Sequence, residues 1–198
     1  MQTILIKGKN RLSCEAFFQL LHKTPVIPAL KTMNGLDKVL AGNSGIVFTL
    51  FGDIVTIPGI VKKIKGAGKS ALVHIDLIDG LTSRDIAVDF LAENTEADGI
   101  ISTKGNLISR AKACGLLTVQ RFFVLDSMAL INIEKHFAQD CSDAVEVLPG
   151  VMPKIIRKIS SLTKKPIIAG GLISDREDIQ AALEAGAISV SSSNISLL

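Results

Sequence analysis

The sequence predicts a single-domain α/β fold, a (βα)8 barrel of the TIM type with short connections and an N-terminal extension. Short β-branched runs alternate with amphipathic stretches along most of the 198 residues, and 47% of the residues are hydrophobic, enough for one sizeable core. Strict β/α alternation favours a parallel sheet, and eight units is the number that closes a barrel. No glycine fingerprint of an open dinucleotide-binding sheet follows the first strand. We therefore expect an extension over residues 1–24 and a barrel over residues 25–198.

The eight predicted strands are short apolar runs, as expected for a parallel sheet that is covered on its outer face by helices. They span residues 26–30, 45–50, 71–75, 99–102, 118–123, 144–148, 166–169 and 187–190.

Seven helical stretches separate these strands, and most carry start or stop signals. Pro58 and Pro153 suit first helical turns, whereas Gly115 and Gly186 suit helix ends. Candidate caps are Asn34, Asp126 or Ser127, and two capping boxes formed by Thr82 with Asp85 and by Ser174 with Glu177.

The N-terminal extension adds a possible strand and helix to this count. Ile4–Ile6 could form a short strand, and Ser13 could cap a helix with Phe17, Leu20 and Leu21 facing inward. The extension is expected to cover one end of the barrel.

Composition limits the function. The net charge of +3 permits a nucleic-acid partner, although solvated helix faces give the same lysine clusters. No apolar run reaches the roughly 20 residues of a spanning helix, and no secretory signal is recognisable. Cys14, Cys114 and Cys141 have no metal-ligand spacing and are interpreted as reduced thiols, which indicates a cytoplasmic protein. No metal or cofactor is predicted.

Polar residues collect where the predicted strands end, which is where (βα)8 barrels place their sites. His74 and Asp76 lie two apart and share one strand face, and Glu146 has the equivalent place on the sixth strand. If these faces point inward, the three residues surround the barrel mouth. Further site candidates at strand ends are Lys31, Lys104, Gln120 and Arg121. Glu146 could instead form a structural ion pair with Arg121 or Lys31.

The last two strands give the most specific signal. Gly170 and Gly171 end the seventh strand, and Ser191, Ser192 and Ser193 end the eighth. Phosphate-binding barrels hold the anion at these two positions with backbone N–H groups, often beside a short final helix, for which residues 194–198 are the candidate. The alternative is a tight connection at the glycines and a frayed end at the serines.

The motifs together resemble the glycerol-3-phosphate-responsive antiterminator regulators of glycerol-uptake operons. The resemblance rests on Val73-His-Ile-Asp-Leu-Ile-Asp-Gly80, Gln120-Arg-Phe-Phe-Val-Leu-Asp126 and Pro166-Ile-Ile-Ala-Gly-Gly-Leu-Ile173, together with matching segments at 25–30, 99–103, 145–150 and 184–187. It implies a barrel that senses glycerol-3-phosphate and binds an mRNA leader to prevent premature termination. Gly170, Gly171 and Ser191–Ser193 would then bind the phosphate, and His74, Asp76 and Glu146 the glycerol end.

The chain departs from this family in its N-terminal extension and in lacking tyrosine and tryptophan, which leaves eight phenylalanines and three histidines as stacking platforms for unpaired bases. Two other functions stay open. One is an isomerase, aldolase or prenyltransferase that acts on a small phosphorylated metabolite, since one barrel fold hosts many chemistries. The other is an interaction protein that has lost its ligand.

Overall fold

The eight parallel strands close into a barrel in which each strand pairs with the next and β8 pairs with β1. The computed structural model describes residues 11–139 and 142–197, apart from the side chains of residues 136, 138 and 139. The strands are β1 Val26–Leu30, β2 Ile46–Thr49, β3 Ser70–His74, β4 Gly99–Ser102, β5 Leu117–Phe123, β6 Ala144–Leu148, β7 Ile167–Gly170 and β8 Ser189–Ser192. The predicted (βα)8 barrel is confirmed.

One helix precedes β1 and seven alternate with the strands. They are α1 Cys14–His22, α2 Leu36–Ala41, α3 Ile57–Gly66, α4 Asp85–Asn94, α5 Gly105–Ala113, α6 Ser127–Gln139, α7 Pro153–Leu162 and α8 Arg176–Glu184. Two 3-10 turns, Ile75–Leu77 and Ile195–Leu197, follow β3 and β8. The latter lies where the sequence suggests a short final helix.

Several predicted element ends were wrong by one or two residues. The last strand begins at Ser189 instead of Ala187, so Ser191 and Ser192 belong to β8 rather than following it. The predicted caps of α2 and α4 were also wrong, because Gly35 and Arg84 occupy those positions and neither makes a side-chain cap bond. Asp175, one residue after the predicted Ser174, caps α8 by accepting from the Asp178 N–H. Ser13 does cap α1.

Two apolar shells result from the alternation of side chains along each strand. One face of the strands packs against the helices, through residues such as Val47, Val73 and Val145. The opposite face fills the barrel interior, where Phe48, Leu72 and other buried side chains form a separate cluster. The barrel is therefore a packed core and not a pore.

The helix α1 closes the barrel at the amino ends of the strands. Its Phe17 and Leu21 are fully buried in the interior cluster. The same cluster contains Ile46 and Leu117, the first residues of β2 and β5. The predicted strand Ile4–Ile6 and Cys141 lie outside the described residues. Cys14 and Cys114 are free thiols.

Candidate functional site

A polar layer caps the apolar interior near the carboxyl ends of the strands. Four strands carry a residue of this layer two positions after an inward-facing apolar residue, namely after Leu72, Val119, Ala144 and Ile168. Its members are His74 on β3, Arg121 on β5, Glu146 on β6, Gly170 on β7 and Ser191 on β8. Five of the residues that the sequence singled out therefore converge at one end of the barrel.

A buried ion pair occupies the centre of this layer. Glu146 is fully buried, and its Oε2 accepts a 2.6 Å hydrogen bond from Arg121 Nε while its Oε1 accepts a 2.5 Å bond from Ser191 Oγ. The structure thus contains the ion pair that the sequence left as an alternative role for Glu146. Removing one member would leave an uncompensated buried charge, which is why such pairs are strongly interdependent. The predicted contact of Glu146 with a ligand stays a prediction.

The hydrogen bonds of Glu146 require a glycine at position 170. A Cβ at this position would lie 2.6 Å from Glu146 Oε1 and 2.6 Å from Ser191 Oγ. Only a residue without a side chain leaves room for the carboxylate to reach the serine. This packing reason for Gly170 was missed by sequence reasoning, which assigned the glycine to a phosphate.

Asp76 lies in the 3-10 turn after β3 and not on the predicted strand face, and it is held at the edge of the layer by Ser102 at the end of β4 and by Thr103 after it. Its carboxylate accepts hydrogen bonds from Ser102 Oγ at 2.8 Å, Thr103 N at 2.7 Å and Thr103 Oγ1 at 2.8 Å. Partial burial raises the pKa of Asp76, but these hydrogen bonds outweigh it and leave the pKa below its usual value. Asp76 is therefore ionised at neutral pH.

His74 is neutral under the same conditions. Burial, helped by the nearby Arg121 charge, lowers the pKa of His74 to about 4, although Asp76 opposes the shift. Its buried Nδ1 has no hydrogen-bond partner among the described residues. Arg121 is also incompletely paired, because within that part of the chain only its Nε donates a bond. Unpaired polar atoms beside a mouth are a feature of binding sites.

The loops after β7 and β8 form one rim above this layer. Ser192 Oγ donates to Ile173 O at 3.1 Å, and Asn194 Nδ2 donates to Ser174 O at 3.2 Å, so the two loops are tied together. Gly171 has a φ of +75°. The backbone N–H groups of Gly171, Leu172 and Ser193 donate to no residue of the described ranges.

The structure separates the predicted phosphate residues into two groups. Gly171 and Ser193 lie on the rim, and their backbone N–H groups are unpaired within residues 11–139 and 142–197. The hydroxyls of Ser191 and Ser192 already donate to Glu146 and Ile173, and Gly170 provides space for Glu146. A phosphate at this rim would therefore contact backbone more than serine hydroxyls.

The remaining candidates do not all reach the mouth. Gln120 alternates with Arg121 and points away from the interior, where its Nε2 donates to Thr103 O at 2.9 Å. Lys104 bonds Ser83 Oγ in the preceding loop, and Lys31 is exposed after β1. Ser102 and Thr103, which fix Asp76, were absent from the predicted site, although their place at the end of β4 and directly after it was a usable signal.

No group of three or more histidine, cysteine or acidic residues able to hold a metal ion occurs in the described ranges. The same part of the chain contains no helix that is long and apolar enough to cross a membrane.

Comparison with known proteins gives the family. Residues 26–198 match the family model described as glycerol-3-phosphate responsive antiterminator. The chain belongs to this antiterminator family. The match covers the whole barrel and starts at the first residue of β1, so α1 lies outside it.

Individual relatives and solved structures are also similar to this chain. The chain is 42% identical over 175 residues to the uncharacterized protein YgcP of Escherichia coli (strain K12). The aligned region covers 88% of this chain and 92% of YgcP. A crystal structure of the glycerol uptake operon antiterminator regulatory protein from Listeria monocytogenes str. 4b F2365 superposes with a TM-score of 0.82 at 36% identity, covering 85% of this chain and 91% of that one. A crystal structure of a glycerol uptake operon antiterminator-related protein from Thermotoga maritima MSB8 superposes with a TM-score of 0.78 at 32% identity. The superposition covers 88% of this chain and 97% of that one.

Proposed function

We propose that this chain is a non-catalytic cytoplasmic sensor that binds glycerol-3-phosphate at the barrel mouth and controls transcription by binding the leader mRNA of glycerol-metabolism operons. The observation that carries the ligand half of this proposal is the rim formed by the loops after β7 and β8. There, the N–H groups of Gly171, Leu172 and Ser193 find no acceptor among the described residues. Backbone N–H groups at this location suit a phosphate monoester.

The polar layer below the rim suits the glycerol end of this ligand. Asp76 is a fixed anion that accepts from hydroxyl groups, whereas Arg121 and the neutral His74 supply unpaired nitrogen atoms. Because Glu146 already neutralises Arg121, the layer holds no unbalanced positive charge. A hydroxylated end is therefore favoured over a carboxylate, which Asp76 would repel.

The geometry does not favour an aldolase that forms a Schiff base. None of the eight described strands contains a lysine, so no strand supplies an amine to the mouth. A pKa of about 4 also makes His74 a poor general base at neutral pH. These properties suit a binding residue.

Regulation follows if the RNA-binding state and the ligand-bound state are linked. A ligand that bridges the two rim loops would order them, and a surface that includes these loops would then bind RNA more tightly. Linkage requires that RNA tighten glycerol-3-phosphate binding by the same factor.

The first test is calorimetric titration of the chain with glycerol-3-phosphate, with glycerol and inorganic phosphate as controls. Gly171→Asp places a negative charge on the rim and should weaken binding by more than about tenfold through repulsion. Gly68→Asp is the matched control, because Gly68 also has a positive φ of +73° but lies between α3 and β3 at the opposite end, in open space. It should change affinity less than about twofold. Unchanged binding in Gly171→Asp would contradict the proposed phosphate position.

The second arm measures ligand affinity with and without leader RNA. Tighter binding in the presence of RNA is expected. Equal affinity would refute the regulatory half of the proposal while leaving the ligand site standing.

A further inference from the structure

A basic groove lies at the amino end of the barrel, between α1 and the connection from α7 to β7. Two adjoining cavities of about 490 and 520 Å³ form it, and Phe18, Lys164 and Lys165 line both of them. We call the surface formed by these three residues, His22 and Lys112 the α1 groove. It lies at the opposite end from the candidate ligand site, because each connection from a helix to the next strand crosses the amino end of the barrel.

The α1 groove has an excess of positive charge. Lys112, Lys164 and Lys165 line one cavity, where Asp143 is the one carboxylate among the described lining residues. Asp143 also accepts two hydrogen bonds from Thr118, and Lys112 Nζ lies 3.7 Å from its Oδ1. Lys164 is exposed and forms no ion pair with any residue that the structure describes. The groove therefore attracts anions.

Two rings lie one helical turn apart among these cations. Phe18 and His22 occupy positions i and i+4 of α1 and share its outward face, whereas Phe17 and Leu21 are buried in the barrel. Phe137 of α6 lines the groove as well. Lysines alone are common where helices end, because they complement the helix dipole. The dipole does not explain rings between the lysines, and this combination is typical of surfaces that bind unpaired bases.

The barrel mouth has the opposite charge balance. Its loops and the first turns of the helices contain more acidic than basic side chains, among them Asp53, Asp79, Asp126 and Asp175. RNA gains much of its affinity from counterions that lysine and arginine side chains release from its phosphates. The α1 groove therefore attracts RNA more strongly than the mouth does. The seven residues of β5 span about 23 Å between the two ends, the length of about seven stacked nucleotides, so one RNA can contact both.

We propose that the α1 groove binds a single-stranded segment of RNA, independently of the ligand at the mouth. Lys164 and its neighbouring lysines contact phosphates, and Phe18 and His22 stack on two bases. Identifying this RNA as the leader rests on the proposed function, whereas the affinity of the groove for single strands does not. The helix α1 precedes residues 26–198, so this contact depends on a helix outside the part that matches the family model.

Fluorescence anisotropy of the full chain tests the charge of the groove. The probe is a labelled single-stranded RNA of mixed sequence and about 12 nucleotides, at about 50 mM salt and without glycerol-3-phosphate. Lys164→Glu should weaken binding by at least about tenfold and reduce the salt dependence of the affinity. Lys154→Glu is the matched control, because Lys154 is exposed at the opposite end of α7, and it should change affinity less than about twofold.

Phe18→Leu separates stacking from charge. It should weaken binding of the same probe about tenfold and leave the salt dependence unchanged, because it removes a ring and no charge. The matched control is Phe90→Leu, which changes a half-buried phenylalanine of α4 outside the groove and should change affinity less than about twofold. Circular dichroism checks that all four variants are folded.

The same titrations with leader RNA, with and without glycerol-3-phosphate, distinguish this inference from the proposed function. The groove variants should lower both affinities by the same factor. A wild type that binds the short probe but does not respond to glycerol-3-phosphate would contradict the proposed function and support the groove.

Three results would overturn the groove proposal. The first is a wild type that does not bind the short probe at about 50 mM salt. The second is an equal loss of affinity in the groove and control variants. The third is an unchanged affinity in Phe18→Leu, because the surface would then attract polyanions without binding unpaired bases.

Discussion

The two ends of the barrel each contain a fully buried carboxylate, but they use it differently. At the amino end, Asp98 accepts bonds from Lys65 Nζ at 2.6 Å, Leu12 N at 3.0 Å and Ala71 N at 2.9 Å. At the mouth, Glu146 accepts from Arg121 and Ser191. Both carboxylates join segments that are distant in sequence, because each bridges elements that meet only in the closed barrel.

The difference lies in the groups around each carboxylate. Near Asp98, Arg11 donates to the carbonyl oxygens of Ala92 and Ala97, and α1 covers the end of the barrel. Near Glu146, the Nδ1 of His74 has no partner among the described residues, and Arg121 uses only its Nε there. A closed network stabilises a fold, whereas an open network of the same residue types is available to a ligand.

Replacing each carboxylate by its amide should give the largest effect and separate the two ends. Glu146→Gln leaves the nearly buried Arg121 without a counter-charge and should lower the free energy of unfolding by about 3–5 kcal/mol. Asp98→Asn should cost less, about 1–3 kcal/mol, because its partner Lys65 is 19% exposed and can be hydrated. Urea unfolding measures both changes.

Anions should distinguish these two variants further. Millimolar glycerol-3-phosphate should stabilise Asp98→Asn by the same increment as the wild type, because the mouth is intact, and Glu146→Gln by a larger increment, because the anionic ligand partly replaces the lost counter-charge of Arg121. If both variants respond equally to the ligand, the proposed difference between the ends is wrong.

Between about pH 6.5 and 4, the dependence of stability on pH should come mainly from His74 at the barrel mouth. The pKa of His74 is about 4 in the folded chain, below the ordinary 6.5, so the unfolded chain takes up a proton first as the pH falls. The stabilisation is therefore complete above about pH 6.5 and is lost progressively between about 6.5 and 4, with a total on the order of 3 kcal/mol. Urea unfolding at pH 7, 5.5 and 4.5 measures it.

His74→Asn is the control for this dependence, because it removes the titrating ring and keeps a polar side chain. The variant should lose most of the slope between pH 6.5 and 4. A slope equal to that of the wild type would mean that other groups cause it.

The sequence was sufficient to predict the barrel, because the order of elements depends on periodicity and on local signals that lie close together along the chain. Because side chains two positions apart share one face of a strand, the sequence also predicted that His74 and Glu146 lie on inward faces. The partners of each residue could not be predicted in this way. Arg121 and Gln120 are neighbours of similar polarity, and only the register of β5 in the closed barrel decides that the first meets Glu146 and the second meets Thr103.

The role of Gly170 shows the same limit. A Gly-Gly pair after an apolar strand predicts a phosphate loop, and Gly171 fits that prediction through its positive φ and its place on the rim. The constraint on Gly170 comes from Glu146 and Ser191, which are 24 and 21 residues away. No local pattern reports a contact of this kind.

Two strand glycines, one at each end, allow the effects of a single added methyl group to be compared. A Cβ at Gly170 would meet the ends of two side chains at 2.6 Å, whereas a Cβ at Gly99, where β4 begins, would lie 2.4 Å from the backbone oxygen of Leu117. Side-chain ends can shift and backbone cannot, so Gly170→Ala should cost about 1–3 kcal/mol and Gly99→Ala more. Gly59→Ala in α3 meets open space and should stabilise by about 0.5–1 kcal/mol.

Ligand binding then separates the two strand variants. Gly170→Ala displaces Glu146 or Ser191 and thereby moves Arg121, so it should also weaken glycerol-3-phosphate binding about tenfold, measured by calorimetry on the folded variant. Gly99→Ala strains only the closed end and should leave the affinity of the folded fraction unchanged, although its stability loss is larger. The reverse order of effects on binding would show that the Glu146 network is purely structural, like that of Asp98, and that only the rim loops contact the ligand.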